Sequence, residues 1–255
     1  MLGKNQIKEI QALQLKKFRD SRKLFICEGQ KTIAELLEQQ PGWVKEVYGL
    51  SEFIGRNKIV LEKSGISYAE VTSEELRKIS LQSSPAAALA VCRQQQESPP
   101  VFNFNQAFTF YLDDIRDPGN MGTIIRLCDW FGIPVVYCSH ESCERFNPKV
   151  IQATMGAFLR VQVVYIALNK LVAEQQITHV YGGVLNGRDV FNEKLSNGLI
   201  VIGNEAGGIR EENLPLIRHG ITIPSGRAKG AESLNAAMAA SILAAEFYRQ
   251  LQHLG

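Results

Sequence analysis

Three stretches of this 255-residue chain set chemically useful side chains beside turn-forming glycines and prolines. The first, YLDDIRDPGNMGTIIRLCDWFGI (111–133), runs from an apolar strand through two acids and a Pro-Gly turn into a helix expected to begin near Asn120, a natural N-cap. Arg126 follows six residues later, off the apolar stripe, where a guanidinium can project toward whatever fills the loop. The second, LIVIGNEAGGIREENL (199–214), ends its strand at Gly203. It holds Glu205 between that glycine and the Gly207-Gly208 pair, which tolerate positive φ and close backbone approach. Its G-x-x-x-G-G spacing matches neither the dinucleotide fingerprint nor the phosphate loop. The third, ITIPSGRAKGAESLNAAMAASILAAEFYRQLQ (221–252), ends a strand at Pro224, carries Arg227 and Lys229 in a polar loop, and starts an Ala-rich helix at Ser233 or Asn235. Amides, a carboxylate and a permanently charged guanidinium suit orientation of a substrate and stabilisation of developing charge. The histidines (His140, His179, His219, His253) stand apart with no ligand spacing, so no metal and no imidazole catalysis are expected.

Such loops need strands to leave from. FTFYLDD, PVVYC, RVQVVYI, THVYGGVL, LIVIGN and GITIP are short runs rich in Val, Ile and Tyr, with helical segments between most of them. That alternation predicts an α/β domain with a mainly parallel sheet, whose ligands gather at loops leaving the carboxyl ends of strands. Ahead of it, periodicity predicts a helix from residue 4 to about Phe18. Strands LFICEG, VKEVYGL, ISYAEV and AALAVCRQ follow, with helices QKTIAELLEQ, SEFIGRNKIVLEKS and TSEELRKIS between them. QQQESPPVFNF breaks both periods, which divides the chain into a domain at 1–98, a linker at 99–106 and a domain at 107–255.

With 45% hydrophobic and 21% charged residues, the composition excludes wholesale disorder and fibrous repeats. No apolar run reaches the ~18 residues of a membrane span. The N-terminus has no apolar h-region, so a cytoplasmic protein is expected. Five cysteines without a C-x-x-C pair suggest neither disulfides nor a zinc knuckle. The net charge of +2 does not announce a polyanion partner, but residues 1–31 carry eight Lys or Arg against three acids, a basic patch at one end. Trp43 and Trp130 read as core or interface anchors.

Read jointly, N-x-G-x-x-x-R in the first stretch, G-N-E-x-x-G in the second and I-P…E-S-L-N-x-A in the third resemble the ordered motifs of the SpoU-type RNA 2′-O-ribose methyltransferases of the SPOUT superfamily. The resemblance covers residues 107–250. KKFRDSRKLFICEGQKTIAELL is similar to the start of the small substrate-binding domain that many members carry in front. The resemblance implies S-adenosylmethionine as methyl donor and RNA as substrate, ribosomal RNA before transfer RNA. It also implies a homodimer, a trefoil knot in the C-terminal domain, and a small ribosomal-protein-like α/β domain that binds RNA.

Carried over by position, Gly203, Ile223 and Leu234 would contact the donor, largely through backbone, and Asn120, Arg126, Glu205, Ser233 and Asn235 would form the reacting site, with Ser233 also capping the last helix. Lys16, Lys17, Arg19, Arg22 and Lys23 of the basic segment would bind RNA. Arg227 and Lys229 would do so from SGRAKGAE, a loop longer than the family pattern. The rival readings are a transfer-RNA methyltransferase and a non-catalytic RNA-binding assembly factor on the same fold. A nicotinamide-dependent dehydrogenase is set aside for want of its glycine fingerprint.

Overall fold

A computed structural model describes residues 2–82, 84–95, 100–226 and 232–251. They fall into two units, one of residues 1–97 with 145–159, the other of 98–144 with 160–255. In chain order the first unit opens with α1 (Lys4–Ala12), α2 (Lys16–Arg22), β1 (Leu24–Glu28), α3 (Gln30–Gln39), β2 (Val44–Gly49), α4 (Ser51–Lys63), β3 (Ser67–Glu70), α5 (Ser73–Ile79) and β4 (Ala88–Arg93). Its sheet has the order β1-β4-β2-β3, with β4 antiparallel to both neighbours and β2 parallel to β3. α3 buries Ile33, Leu36 and Leu37, the stripe that its 3.6-residue period predicts. α5 opens with a capping box in which Thr72 Oγ1 accepts from the Glu75 amide and the Glu75 carboxylate accepts from the Thr72 amide.

Where periodicity predicts one helix over residues 4–18, the chain forms two, α1 and α2. Arg19 holds the break: its Nη1 donates to the carbonyls of Leu13 (2.8 Å) and Gln14 (2.7 Å), and the side chain is buried. A guanidinium committed to main-chain acceptors inside the unit is not offered to phosphate, so Arg19 drops out of the expected RNA contacts.

The second unit consists of β5 (Phe108–Leu112), α6 (Pro118–Trp130), β6 (Val135–Cys138), β7 (Gln162–Tyr165), α8 (Leu168–Glu174), β8 (Val180–Asp189), β9 (Gly198–Ile202), β10 (His219–Thr222) and α9 (Ala236–Leu251); α7 (Pro148–Thr154), which follows β6 in sequence, belongs to the first unit. The strands pair in the order β10-β8-β9-β5-β6-β7, all parallel. Between β8 and β10 the register jumps from Gly220 opposite Gly182 to Ile221 opposite Arg188, so residues 183–187 leave the ladder at its carboxyl half. The backbones meet again at Gly187, where a Cβ would stand 2.5 Å from the Ile221 carbonyl carbon. Small residues let α9 pack closely and bury Ala236, Ala237, Ala240 and Ala244. No helix among the described residues is long and apolar enough to cross a membrane.

Residues 145–159 supply part of the first unit's core. Phe146 stacks on Phe25 with ring centroids 4.6 Å apart, Phe158 meets Phe25 edge-on at 6.1 Å, and Ile151 is buried in the same cluster as Trp43.

At the amino ends of β8 and β10, two histidines that are 40 residues apart in sequence come together, His179 Nδ1 lying 3.4 Å from His219 Nε2. The Tyr181 ring stacks on His219 at 4.9 Å. Burial first, then the charges of His179, Arg188 and Arg218, lower the His219 pKa against the opposing pull of Glu193. A base with a depressed pKa in the fold stabilises it above its unfolded value, and that contribution is lost as the pH falls below it. The melting temperature is expected to be level above about pH 6.5 and to decline below it, and His219→Gln is expected to flatten the decline. An unchanged acid slope in the variant would show that His219 does not titrate with folding.

Candidate active site

The three stretches leave β5, β9 and β10 at their carboxyl ends, which all lie at one end of the parallel sheet. α6 starts two residues before Asn120, at Pro118: Asp117 is the N-cap, its Oδ1 accepting from the Asn120 amide at 2.8 Å. Both residue types cap well, and proline after Asp117 decides between them. Relieved of capping, the Asn120 side chain is free for tertiary bonds. The cap of α9 is Asn235 rather than Ser233, with Oδ1 accepting from the amides of Ala237 (3.0 Å) and Met238 (3.2 Å).

That cap sets the polarity of a relay. With its oxygen held by two amides, Asn235 turns Nδ2 toward Asn120 Oδ1 and donates to it at 2.8 Å; Asn120 Nδ2 in turn donates to Glu205 Oε1. Residues of all three stretches are thus joined in one donor-to-acceptor chain. Asn120 is buried and Glu205 half-buried.

Beside the relay lies a cavity of about 910 Å³. Leu185 and Asn186 from the 183–187 excursion, Gly203–Ile209 after β9, Thr222–Ser225 after β10, and Ser233 and Leu234 before α9 wall it, with Ile202 and Leu243 behind. Gly203, Ile223 and Leu234, the expected donor contacts, all line it, as do Glu205 and Ser233. The residues fit S-adenosylmethionine: the apolar walls suit an adenine, and the loop backbones with Glu205 and Asn186 supply polar partners. Among the described residues, no three of His, Cys, Asp and Glu gather as metal ligands.

The loop after β9 folds back on itself. Asn204 and Gly208 exchange main-chain hydrogen bonds at 3.0 and 2.8 Å, and the positive φ falls on Gly208, at 65°. A Cβ on Gly203 would collide with the backbone of Gly208 and Ile209. The loop is also bound to the acids after β5. The Arg210 amide and Nε donate to the two carboxylate oxygens of Asp113 (2.9 and 2.7 Å), and Asn204 Nδ2 donates to the Asp114 carbonyl at 2.9 Å. Asp113 is fully buried. Desolvation lowers the Arg210 pKa, but the hydrogen bond and charge of Asp113, with Glu141 and Glu212, outweigh it, so the net shift is upward. Asp114 adopts φ 59°, unusual for a non-glycine residue, with its amide held by Ser139 Oγ at 3.0 Å. Asn204 is the asparagine of the G-N-E-x-x-G motif, where the sequence gives it no role of its own, and Arg210, a polar residue just past the glycines, does not stand out.

Arg126 does not join the relay. It lies six residues beyond Asn120, roughly 240° around the helix, and is exposed with no hydrogen bond or ion pair to the described residues. It shares that face with Trp130, which is 84% exposed one turn further on; Trp43, by contrast, is buried in the first unit's core. Among the expected RNA contacts, Lys16, Lys17, Arg22 and Lys23 are exposed, and Lys17 and Arg22 flank the Phe18 ring at 4.8 and 5.5 Å. Arg227 and Lys229 lie outside the described residues.

A cleft at the carboxyl ends of parallel strands, walled by three loops and joined to a side-chain relay, is the site of an α/β enzyme that uses a small-molecule cofactor. The chain belongs to the SpoU rRNA methylase family, whose sequence model matches residues 107–245. Residues 4–90 match the MRM3-like substrate binding domain. Among its relatives is the 23S rRNA (guanosine(2553)-2′-O)-methyltransferase RlmP of Bacillus subtilis, 29% identical over 94% of this chain and 95% of the relative. Two similar solved structures are a TrmH-family protein of Porphyromonas gingivalis (33% identity, TM-score 0.84, 98% of this chain and 99% of that one) and an AdoMet-bound rRNA methyltransferase of Sinorhizobium meliloti (26% identity, TM-score 0.86, 98% and 97%).

The crowding at Gly203 makes a direct prediction. Gly203→Ala is expected to cost about 1–3 kcal/mol of stability, the usual cost of overpacking, measured by urea unfolding. Equal stability would show that the loop backbone yields.

Proposed function

We propose that this protein is a homodimeric methyltransferase that transfers the methyl group of S-adenosylmethionine to a ribose 2′-hydroxyl of ribosomal RNA in the cytoplasm. The carrying observation is the Asn235–Asn120–Glu205 relay, which draws on all three family motifs, beside a cavity that the second and third of them wall. When bound, the donor would supply a sulfonium methyl for displacement by the 2′-oxygen, the thioether leaving and the hydroxyl proton passing to water. The chain's own residues hold that oxygen in line. Each relay amide keeps one N–H, and Glu205 keeps one carboxylate oxygen, for the ribose. Ser233, on the cavity wall, adds a hydroxyl. Alignment of this kind can supply much of the rate.

A guanidinium is a poor proton acceptor, so Arg126 acts by charge, on the neighbouring phosphate or on the oxygen as negative charge grows there. Its place on the outer face of α6 supports a trans arrangement. A second copy seated on the α6 and α9 faces would cover Trp130, Met238 and Tyr248, all exposed in the single chain, and bring Arg126 to the opposite relay. The knotted C-terminal topology of the family belongs to the same reading. Lys16, Lys17, Arg22 and Lys23 would take the phosphate backbone in the first unit.

Labelled donor with total RNA from cells lacking the gene is expected to yield one alkali-resistant linkage, in ribosomal RNA. Label confined to transfer RNA would refute the ribosomal assignment, and absence of label would favour an assembly factor. Arg126→Ala and Asn120→Ala are each expected to lose activity at least about a hundredfold, while co-refolded mixtures of the two regain it, because one site of each mixed dimer is intact. Mixtures as inactive as their parents would place Arg126 in its own chain's site.

A further inference from the structure

Both halves of the relay hang from one short segment, residues 113–117. On one side, Asp117 Oδ1 holds the Asn120 amide at the start of α6. On the other, Asp113 binds the amide and Nε of Arg210 at the far end of the β9 loop, and the Asp114 carbonyl receives Asn204 Nδ2 at its near end. Glu205 follows Asn204 directly and lies between the two ties. We propose that Asn204 and Arg210 are positioning residues, which register the Glu205 loop against the same acidic segment that places Asn120, so that carboxylate and amide meet at a fixed separation whether or not the cavity is filled.

The ties differ in kind. Asp113 is fully buried, so its charge is strongly committed to Arg210, and removing that cation would leave an uncompensated carboxylate inside the unit. Loss of Arg210 therefore risks the fold itself and cannot isolate positioning. Asn204 separates the roles. Its Oδ1 accepts from the amides of Ala206 (2.9 Å) and Gly207 (3.3 Å) and builds the turn, while its Nδ2 makes the tie. Asn204→Asp keeps acceptors for the turn and removes the donor; Asn204→Ala removes both.

The inference rests on the methyltransferase reading, and its test uses the full-length protein, S-adenosylmethionine and ribosomal RNA from cells lacking the gene. Asn204→Asp is expected to fold, with kcat at saturating donor falling between about tenfold and a hundredfold, as a misplaced reacting group predicts, and donor affinity by calorimetry changing far less than kcat. Asn204→Ala is expected to lose kcat to a similar degree. The proposal is overturned if Asn204→Asp turns over at the wild-type rate while Asn204→Ala is slow, which would confine Asn204 to the turn. It is equally overturned if donor affinity falls in step with kcat, which would make the loop a wall of the cavity and no more. Failure of the wild-type protein to label any RNA would be seen before any substitution and would remove the underlying reading.

Discussion

A helix cap decides the direction of the reacting site. An asparagine amide has two chemically opposite ends of nearly equal shape, and either can face a neighbour unless something fixes it. At Asn235 the first free amides of α9 fix it, because only the oxygen can accept from them. The choice then propagates without further freedom: Asn235 offers N–H, Asn120 receives it and offers its own, and Glu205 receives that. A local requirement for satisfying helix ends is thereby converted into the polarity of side chains brought together from three separate loops.

The parallel sheet makes such convergence possible. Strands that run the same way deliver all their carboxyl ends to one side, so β5, β9 and β10 can each contribute a loop although the segments between them are long. The excursion of residues 183–187 in β8 adds a wall to the cavity beside the β9 and β10 loops without ending the strand, since the ladder resumes at Arg188. Fitting backbone so tightly leaves little tolerance for side chains, and the glycines at 187 and 203 stand where the approach is closest.

Strands and helices were largely legible because their periods are local: apolar runs became β5, β6 and β9, and the Ile33–Leu37 stripe became the buried face of α3. The relay residues were legible only as a family pattern; Gly203, Ile223 and Leu234, carried over in the same way, line the cavity. What escaped depends on distance in sequence. Nothing near Arg19 signals that its charge turns inward, nothing in the spacing of His179 and His219 predicts adjacent rings, and Asp113 meets Arg210 across 97 positions. Asn120 and Asp117 compete on equal local terms for the cap of α6, and the assignment freed one of them for the site.

The sharing of Phe146, Ile151 and Phe158 with the first unit has a genetic corollary. A gene cut once, at the polar break near Pro99, would not deliver a finished module, because the chain crosses back to complete the aromatic cluster around Phe25. Recombination that exchanged only the leading segment between relatives would strand Phe25 without its stacking partner unless residues 145–159 travelled too. Covariation between these two distant stretches, more than between either and the rim of the cavity, is the mark that this construction would leave in descent.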